Sequence, residues 1–585
     1  MAGARRMMDG SPPASARGRT DASSEADRGA TDASRRARRV ALALFGAATL
    51  LAFPHELPWG GRVDGGLVFG WLVPAALVVG VAGLDARRAA RVAFVASAIA
   101  HALLFHWFAI VTVVYGGMPA WLGGLAPVVP ALYVAPFTAL FAWTWVAAAR
   151  DSRAPVWLGA ALWVAIDWLR GHFLGGFPWA TLGYALHADV PLLGLARWGG
   201  VYALSFVAAA TGIALARVWL ARGEDPDPGG GTASRGHSGA IARLVGVGAL
   251  LAIAHGMGWG LARPVGDASA DDAPAPARIR VAAIQGNIEQ GRKWDAEWRG
   301  QILASYLRLS EAAARDGVDW IVWPETAVPG LIEHDPGLRA RLAELARRHG
   351  ATLVLGGMGL DLGPDGRPTA YYDSAFVVDP GGVVRDRYDK THLVPFGEYV
   401  PLRALLGHLF HSLATGLSAT DVTPGERPRA LTLSAGRDAF GLRVGVPICY
   451  ELLFPDLVRR FAADGAGVLL AITNDAWYGR TGAPHQFLAM TALRSAETGR
   501  WTVRAANTGI SAIIDDRGRV RARTGLFEEG VVVGEVPVAT GEPATFYARN
   551  GDVFAGLCVV VAVGAVGRAA WSRRRGRGDR HGSED

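Results

Sequence analysis

Three residues of matching chemistry stand where strands end. Cys449 separates VGVPI from YELLFPDLVRR, Glu325 follows VDWIVWP, and Lys390 closes a hairpin strand in VVRDRYDK. Strand ends in α/β sheets are where groups distant in sequence converge. A cysteine at the start of a helix meets the positive end of the helix dipole and free N–H groups, which favour thiolate. A carboxylate could take its proton and an ammonium could stabilise an oxyanion. Together the three would supply a nucleophile, a base and an electrostatic stabiliser. Singly, each has a plainer reading, because cysteines pack cores and most Lys and Glu side chains are solvated.

Such a trio needs a sheet to hold it, and residues 278–542 carry the pattern of one. IRVAAIQGNI (279–288) reads as a strand and WRGQILASYLRLSEAAARDG (298–317) as an amphipathic helix. VDWIVWPE (318–325) and ATLVLGGMGL (351–360) read as further strands. SAFVVDPGGVVRDRYDK (374–390) is a hairpin turning at Pro380-Gly381-Gly382, and LRVGVPICYELLFPDLVRRFAADG (442–465) is strand, sharp turn and helix. GVLLAITND (467–475) and a hairpin around Asp515-Asp516-Arg517-Gly518 complete a mixed α/β layout. About 265 residues suffice for one substantial core.

The remainder of the 585 residues is of another kind. The chain is 51% hydrophobic and 19% charged, which excludes both a disordered chain and a single soluble domain. A net charge of +7 gives no reason to invoke nucleic acid, and two distant cysteines give no disulfide framework. Apolar stretches near 39–54, 65–84, 92–114, 120–149, 155–176, 193–221, 241–262 and 552–571 approach the length of about 20 residues that a bilayer core requires. With eight spans, every arginine-rich segment falls on one face, which should be cytoplasmic: Arg35–Arg39, Arg87–Arg91, Arg150–Arg153, Arg217–Arg243 and Arg573–Arg577. The expected organisation is a disordered cytoplasmic tail (1–38), a seven-span membrane domain (39–264), an outside catalytic domain (278–542), a last helix (552–571) and a basic tail (572–585). None of the spans reads as a cleavable signal peptide.

WPETAVP (323–329), YDKTHLVPFGEYVP (388–401) and VPICYELLFPD (446–456) resemble, in order, the three signatures of the nitrilase (carbon-nitrogen hydrolase) superfamily. With eight spans and the catalytic domain inserted before the last, the chain resembles the apolipoprotein N-acyltransferases, bacterial inner-membrane enzymes that add a third acyl chain to lipoproteins. The resemblance implies an α-β-β-α sandwich. It also implies Glu325 as general base, Lys390 as oxyanion-stabilising lysine and Cys449 as nucleophile. Glu398 would support the lysine, while Tyr450, Glu451 and Trp294 match supporting or substrate-binding residues. In TNDAWYGRTGAPHQFLAMTALRSAETGR (473–500) the order His485-Gln486 departs from the family's pattern and leaves the role of His485 open.

The implied reaction takes an acyl chain from a phospholipid through a Cys449 thioester. It delivers the chain to the α-amine of an apolipoprotein's N-terminal diacylglyceryl-cysteine, on the periplasmic face of the inner membrane. The alternative is a membrane-tethered amidase or nitrilase-type hydrolase using the same triad with water, which leaves the spans idle. A transporter would need paired intramembrane polar groups or repeats, and no internal repeat is evident. Leu405, Leu406, Leu409, Phe410 and Leu413 recur at helical spacing within 401–419, the pattern of an apolar arm or of a helix packed on its own core. Asp167 and Arg170, at i, i+3 inside the fifth stretch, fit a paired structural role as well as a functional one, and Cys558 reads as packing. His101, His106 and His255 lack metal spacing, so neither metal nor organic cofactor is expected.

Overall fold

A computed structural model describes residues 34–57, 59–148, 155–223, 233–262, 277–293, 296–315, 317–401, 421–435, 439–540 and 545–581. The apolar stretches become helices α1 (34–51), α2 (Gly66–Val81), α3 (Ala86–Leu104), α4 (Val128–Ala148), α5 (Val156–His172), α6 (Ala196–Leu220) and α7 (Ala233–Leu261). Three helices among the described residues are long and apolar enough to cross a membrane: Ala120–Ala148, Ala196–Leu220 and Ile241–Leu261. A bent pair, Ala86–Leu104 with Phe108–Tyr115, raises that number to four at most. The expected tail already turns helical at 34.

The expected span 92–114 is therefore not one rod but breaks by 61°. At the break, Phe105, Trp107 and Phe108 leave the helix line to pack on Phe177, Trp179 and Tyr478; the Trp107 and Tyr478 rings are 4.8 Å apart. Val95 and Ile99 on α3 and Ile253 and Met257 on α7 point outward, as lipid-facing side chains do. The pair in α5 is buried and structural. Arg170 bonds Asp167 at 3.2 Å, the carbonyls of Phe177 and Trp179 and the hydroxyl of Thr181, while Asp167 accepts from Ser205 on α6.

The second part is two six-stranded sheets face to face. The first contains β1 (Ala277–Gln285), β2 (Trp320–Val322), β3 (Thr352–Leu362), β4 (Pro368–Val378), β5 (Val384–Asp389) and β12 (Gly530–Val538), in the order β12-β1-β2-β3-β4-β5. The second contains β6 (Leu431–Ala435), β7 (Ala439–Gly445), β8 (Val468–Thr473), β9 (Thr502–Ala506), β10 (Ala512–Ile514) and β11 (Val520–Arg523), in the order β11-β10-β9-β8-β7-β6. Side chains alternate across the pleat. Val281, Ala283, Trp320, Val322 and Val354 join the core between the sheets. Ala282, Ile284, Ile321 and Leu353 pack under helices α8 (Arg299–Ala314) and α9 (Pro336–His349). Burial on both faces explains the unbroken apolar runs in these strands. Helices α10 (Pro455–Ala463) and α11 (Ala483–Thr498) cover the second sheet, giving an α-β-β-α sandwich. The chain then enters α12 (Val553–His581), which carries buried Cys558 and continues as helix through most of the expected basic tail.

Every residue of α11 is buried, because the membrane helices cover the face that a soluble sandwich would leave wet. One apolar core runs from Phe45 and Leu204 in the membrane helices to Leu469 and Phe487 in the sandwich. Polar clasps cross the same boundary. Arg494 Nη2 bonds Glu497 and the Tyr184 hydroxyl, both at 3.0 Å, and Glu497 accepts from the Val201 N–H at 2.8 Å. Arg494→Met would strand a buried carboxylate and should cost roughly 3 kcal/mol, read as a lowered Tm of the whole chain in detergent. An unchanged Tm would remove this pair from the clasp.

Candidate active site

Each triad residue is set by its own strand end. Glu325 follows β2, whose exit is pressed onto β3: a Cβ on Gly356 would lie 2.1 Å from the Pro324 carbonyl oxygen, so only glycine fits there. Lys390 follows β5, its backbone N–H bonded to the Asp373 carbonyl of β4 at 2.8 Å. Cys449 sits beyond β7 with φ +44°, a left-handed strain that turns the chain abruptly into the short 3-10 segment Cys449–Leu453.

Glu451 holds that turn. Its carboxylate accepts from the Ile448 N–H (2.8 Å), the Tyr388 hydroxyl (2.7 Å), and the N–H and hydroxyl of Thr391 (2.7 and 2.8 Å). One buried side chain thus ties the turn at Cys449 to the strand end carrying Lys390.

Lys390 Nζ is fully buried among three carboxylates: Glu325 at 2.9 Å, Asp373 at 3.2 Å and Glu398 in a short contact. Glu398 is fixed in turn by the Val394 N–H at 2.9 Å. The oxygens of the three acids lie within 4.8 Å of one another, a set able to hold a metal ion. Here the ammonium takes the cation's place. Burial works against its charge, but Glu325, Glu398 and Asp373 outweigh it and keep Lys390 protonated well beyond the ordinary lysine range. Burial also opposes ionisation of Glu325, yet Lys390 wins and holds that carboxyl below its usual value. Glu325 is therefore the more easily ionised for having Lys390 beside it.

The thiol corrects the expectation drawn from the helix dipole. Burial, reinforced by the Glu325 charge and opposed by Lys390, pushes Cys449 well above an ordinary cysteine. Thr473 Oγ1 is 3.5 Å from the sulfur, but its single hydrogen has a stronger acceptor in Asp475 at 2.8 Å. The resting group is S–H. Alkylation of Cys449 by a neutral reagent should thus keep climbing about tenfold per pH unit above pH 9, where a cysteine of ordinary pKa near 8.5 levels off. Peptide mass mapping separates it from Cys558, and a plateau below pH 9 would contradict the protonated resting state.

Two residues that the sequence reading passed over belong to this cluster. Lys293 Nζ donates to the Glu325 carbonyl at 2.9 Å, and burial draws its pKa down to about 8. Asp373 is buried with Oδ1 lacking any partner. Burial, with Glu325 and Glu398 beside it and Lys390 opposing, pushes its carboxyl well up. Asp373 is accordingly the most readily protonated of the three acids around Lys390. Asp373→Asn, its nearest neutral mimic, should keep the steady-state rate within roughly threefold, whereas Asp373→Ala should lower it tenfold or more by leaving Lys390 under-coordinated. Equal losses in a steady-state rate assay would contradict a neutral Asp373. An acid inside an apolar strand (YYDSAFVV) was the available signal for it.

Of the remaining expected residues, Tyr450 is buried with its ring against His392 (5.7 Å) and Phe454 (5.2 Å). Trp294 and the proposed apolar arm, apart from Pro401, lie outside the described residues. His485 does not enter the cluster. Its Nε2 meets Glu56 at 2.7 Å, while Gln486 accepts from Trp179 at 2.7 Å and donates to the Pro54 carbonyl at 3.0 Å. The His-Gln pair fastens the sandwich to the membrane part.

The profile described as Carbon-nitrogen hydrolase matches residues 280–545, and the one described as Apolipoprotein N-acyltransferase N-terminal domain matches 45–214. A protein named apolipoprotein N-acyltransferase from Geobacter metallireducens is 38% identical over 86% of this chain and 91% of its own length. Proteins of the same name from Pseudomonas syringae and Azotobacter vinelandii are 36% identical, covering 74% and 80% of this chain and 78% and 83% of theirs. A solved nitrilase-superfamily amidase from Nesterenkonia AN1 aligns at 23% identity over 45% of this chain and 92% of its own, with a TM-score of 0.33.

Proposed function

The chain belongs to the apolipoprotein N-acyltransferase family and is an acyltransferase of lipoproteins; we propose that it draws the acyl chain from a phospholipid and passes it through Cys449 to the α-amine of an N-terminal diacylglyceryl-cysteine. The observation that carries this reading is the convergence of Glu325, Lys390 and Cys449 in one buried cluster. The apolar core continuous with the membrane helices supports a lipid-borne substrate.

In the first half-reaction the sulfur attacks the ester carbonyl carbon while its proton passes to Glu325. Charge gathers on the carbonyl oxygen, opposite Lys390 Nζ and the Tyr450 N–H. The ester C–O bond breaks, Glu325 returns the proton to the departing oxygen, and a lysophospholipid leaves a thioester behind. In the second, the neutral α-amine attacks the thioester carbon and gives a proton to Glu325. The C–S bond breaks, the amide forms, and the proton returns to sulfur. A thiol that is weakly acidic at rest suits this order, because it ionises only as the S–C bond forms and resists idle chemistry.

We assign eight crossings to α1–α7 and α12, with the catalytic domain on the outer face of a bacterial inner membrane. The arginine-rich segments fall on the opposite face in that arrangement, which supports it. The shorter apolar parts of α2 and α12 reach across with local thinning of the bilayer and snorkelling of flanking residues.

Incubating the full chain with phospholipid alone should add one acyl mass to the Cys449 peptide. A diacylated lipopeptide with a free amine should remove it as amide, and an N-acetylated one should not. Free fatty acid as the sole product would favour the hydrolase.

A further inference from the structure

Beside the catalytic cluster, and separate from it, lies an open cleft of about 500 Å³. Tyr115, at the end of the bent helix pair, forms its membrane-side wall, and Gln290, Gln301, Ser305, Thr508 and Phe527 form much of the rest. The cleft shares a wall with the reaction site. Gln290 accepts from Asn474 at 2.7 Å, Asn474 follows the Thr473 that lies beside the sulfur, and Tyr115 donates to the Ala476 carbonyl at 2.8 Å. Lys293, three residues after Gln290, holds the Glu325 carbonyl.

The lining selects among the parts of the substrates. Among the described residues that line it, the charged side chains are Arg292 and Glu289, 3.1 Å apart and of opposite sign, so this lining carries no net positive charge to favour a phosphate headgroup. It offers instead neutral donors and acceptors: the amides of Asn287, Gln290 and Gln301 and the hydroxyl of Thr508. Thr508 Oγ1 is buried and has no hydrogen-bond partner among the described residues. A buried hydroxyl left unpaired is costly, and a ligand carrying N–H and C=O groups would satisfy it. An extended peptide has that chemistry. Placed between the membrane-side Tyr115 and the catalytic wall, the cleft stands where a polypeptide anchored by its lipidated first residue would leave the bilayer.

The geometry points to this cleft as the site that receives the polypeptide of the acceptor, just beyond its lipidated cysteine, and recognises its backbone through Thr508 and Gln301. This assignment rests on the two-step reading above for the identity of the acceptor.

The test uses the full chain in lipid nanodiscs with Thr508→Val and Gln301→Leu, singly and together. Acyl loading of Cys449 from phospholipid should stay within twofold of the parent. The KM for a diacylated peptide of several residues should rise about tenfold in the double variant, and that for diacylated cysteine amide should hardly move. Slower loading with an unchanged lipopeptide KM would reassign the cleft to the phospholipid headgroup. Equal KM values for variant and parent would overturn the site altogether. Binding of a fluorescent diacylated peptide to Cys449→Ser gives a second reading that needs no turnover. There, Thr508→Val and Gln301→Leu should weaken binding by a similar factor, and unaltered binding would sink the assignment. Failure of Cys449 to load in the parent would instead count against the two-step reaction, whatever the peptide binding shows.

Discussion

Replacing Cys449 with Ser should reduce lipoprotein N-acylation by at least about 10³-fold while the chain still folds and inserts. The substitution is nearly isosteric, and the turn at Cys449–Leu453 is held by Glu451 rather than by the sulfur. What changes is nucleophilicity. A hydroxyl holds its proton far more tightly than a thiol, and Glu325 is kept a weak base by Lys390. A pair matched for thiol chemistry cannot ionise serine. The measurement is acyl transfer to a fluorescent lipopeptide, with Tm as the control for folding. Retention of a tenth of the parent rate would rule out the covalent route.

The second large effect is expected at Lys390. Lys390→Met removes the cation that three carboxylates share, and two losses should follow together. The oxyanion loses its charged partner, worth about 10²–10³ in rate. Glu325 also loses the group that keeps it ionised, so it should take up a proton and cease to act as a base at neutral pH. The combined fall in kcat should exceed that of either loss alone. Removing one member of a buried ionic cluster should also destabilise the chain by roughly 3–5 kcal/mol. Lys390→Arg should not restore the rate, because the enclosed position leaves no room for a planar guanidinium. Substantial activity in Lys390→Met would remove the lysine from the chemistry.

How far the site could be read from sequence depends on which physical term dominated locally. The strands of the first sheet were legible because both faces are buried and the apolar runs are continuous. Strand β12 was not: GVVVGEVPV is short on contrast, and its partner β1 lies about 250 residues away, so nothing local announces the pairing. Glu325, Lys390 and Cys449 stood out because each stands at the end of a strand, where catalytic groups converge. Asp373 lies inside β4, one residue before the hairpin read at 374–390, and was passed over. The thiol's acidity was misjudged because the dipole argument assumes a substantial helix and some solvent. The segment after Cys449 is five residues of 3-10 turn in a closed cluster, where desolvation dominates. The span at 92–114 was read as straight because hydropathy averages over Phe105 and Trp107 without registering that they pack sideways.

The antiparallel pairing of β1 with β12 places Ala277 opposite Val538, so the polypeptide enters and leaves the sandwich through neighbouring strands. An appendage whose two ends meet can be spliced between consecutive rods of a helical barrel without forcing those rods apart, since the gap to be bridged is about 5 Å. The architecture thus behaves like a socket with a two-pronged plug. The seam between plug and holder is closed by contacts elsewhere, among them the shared apolar core and His485 on Glu56.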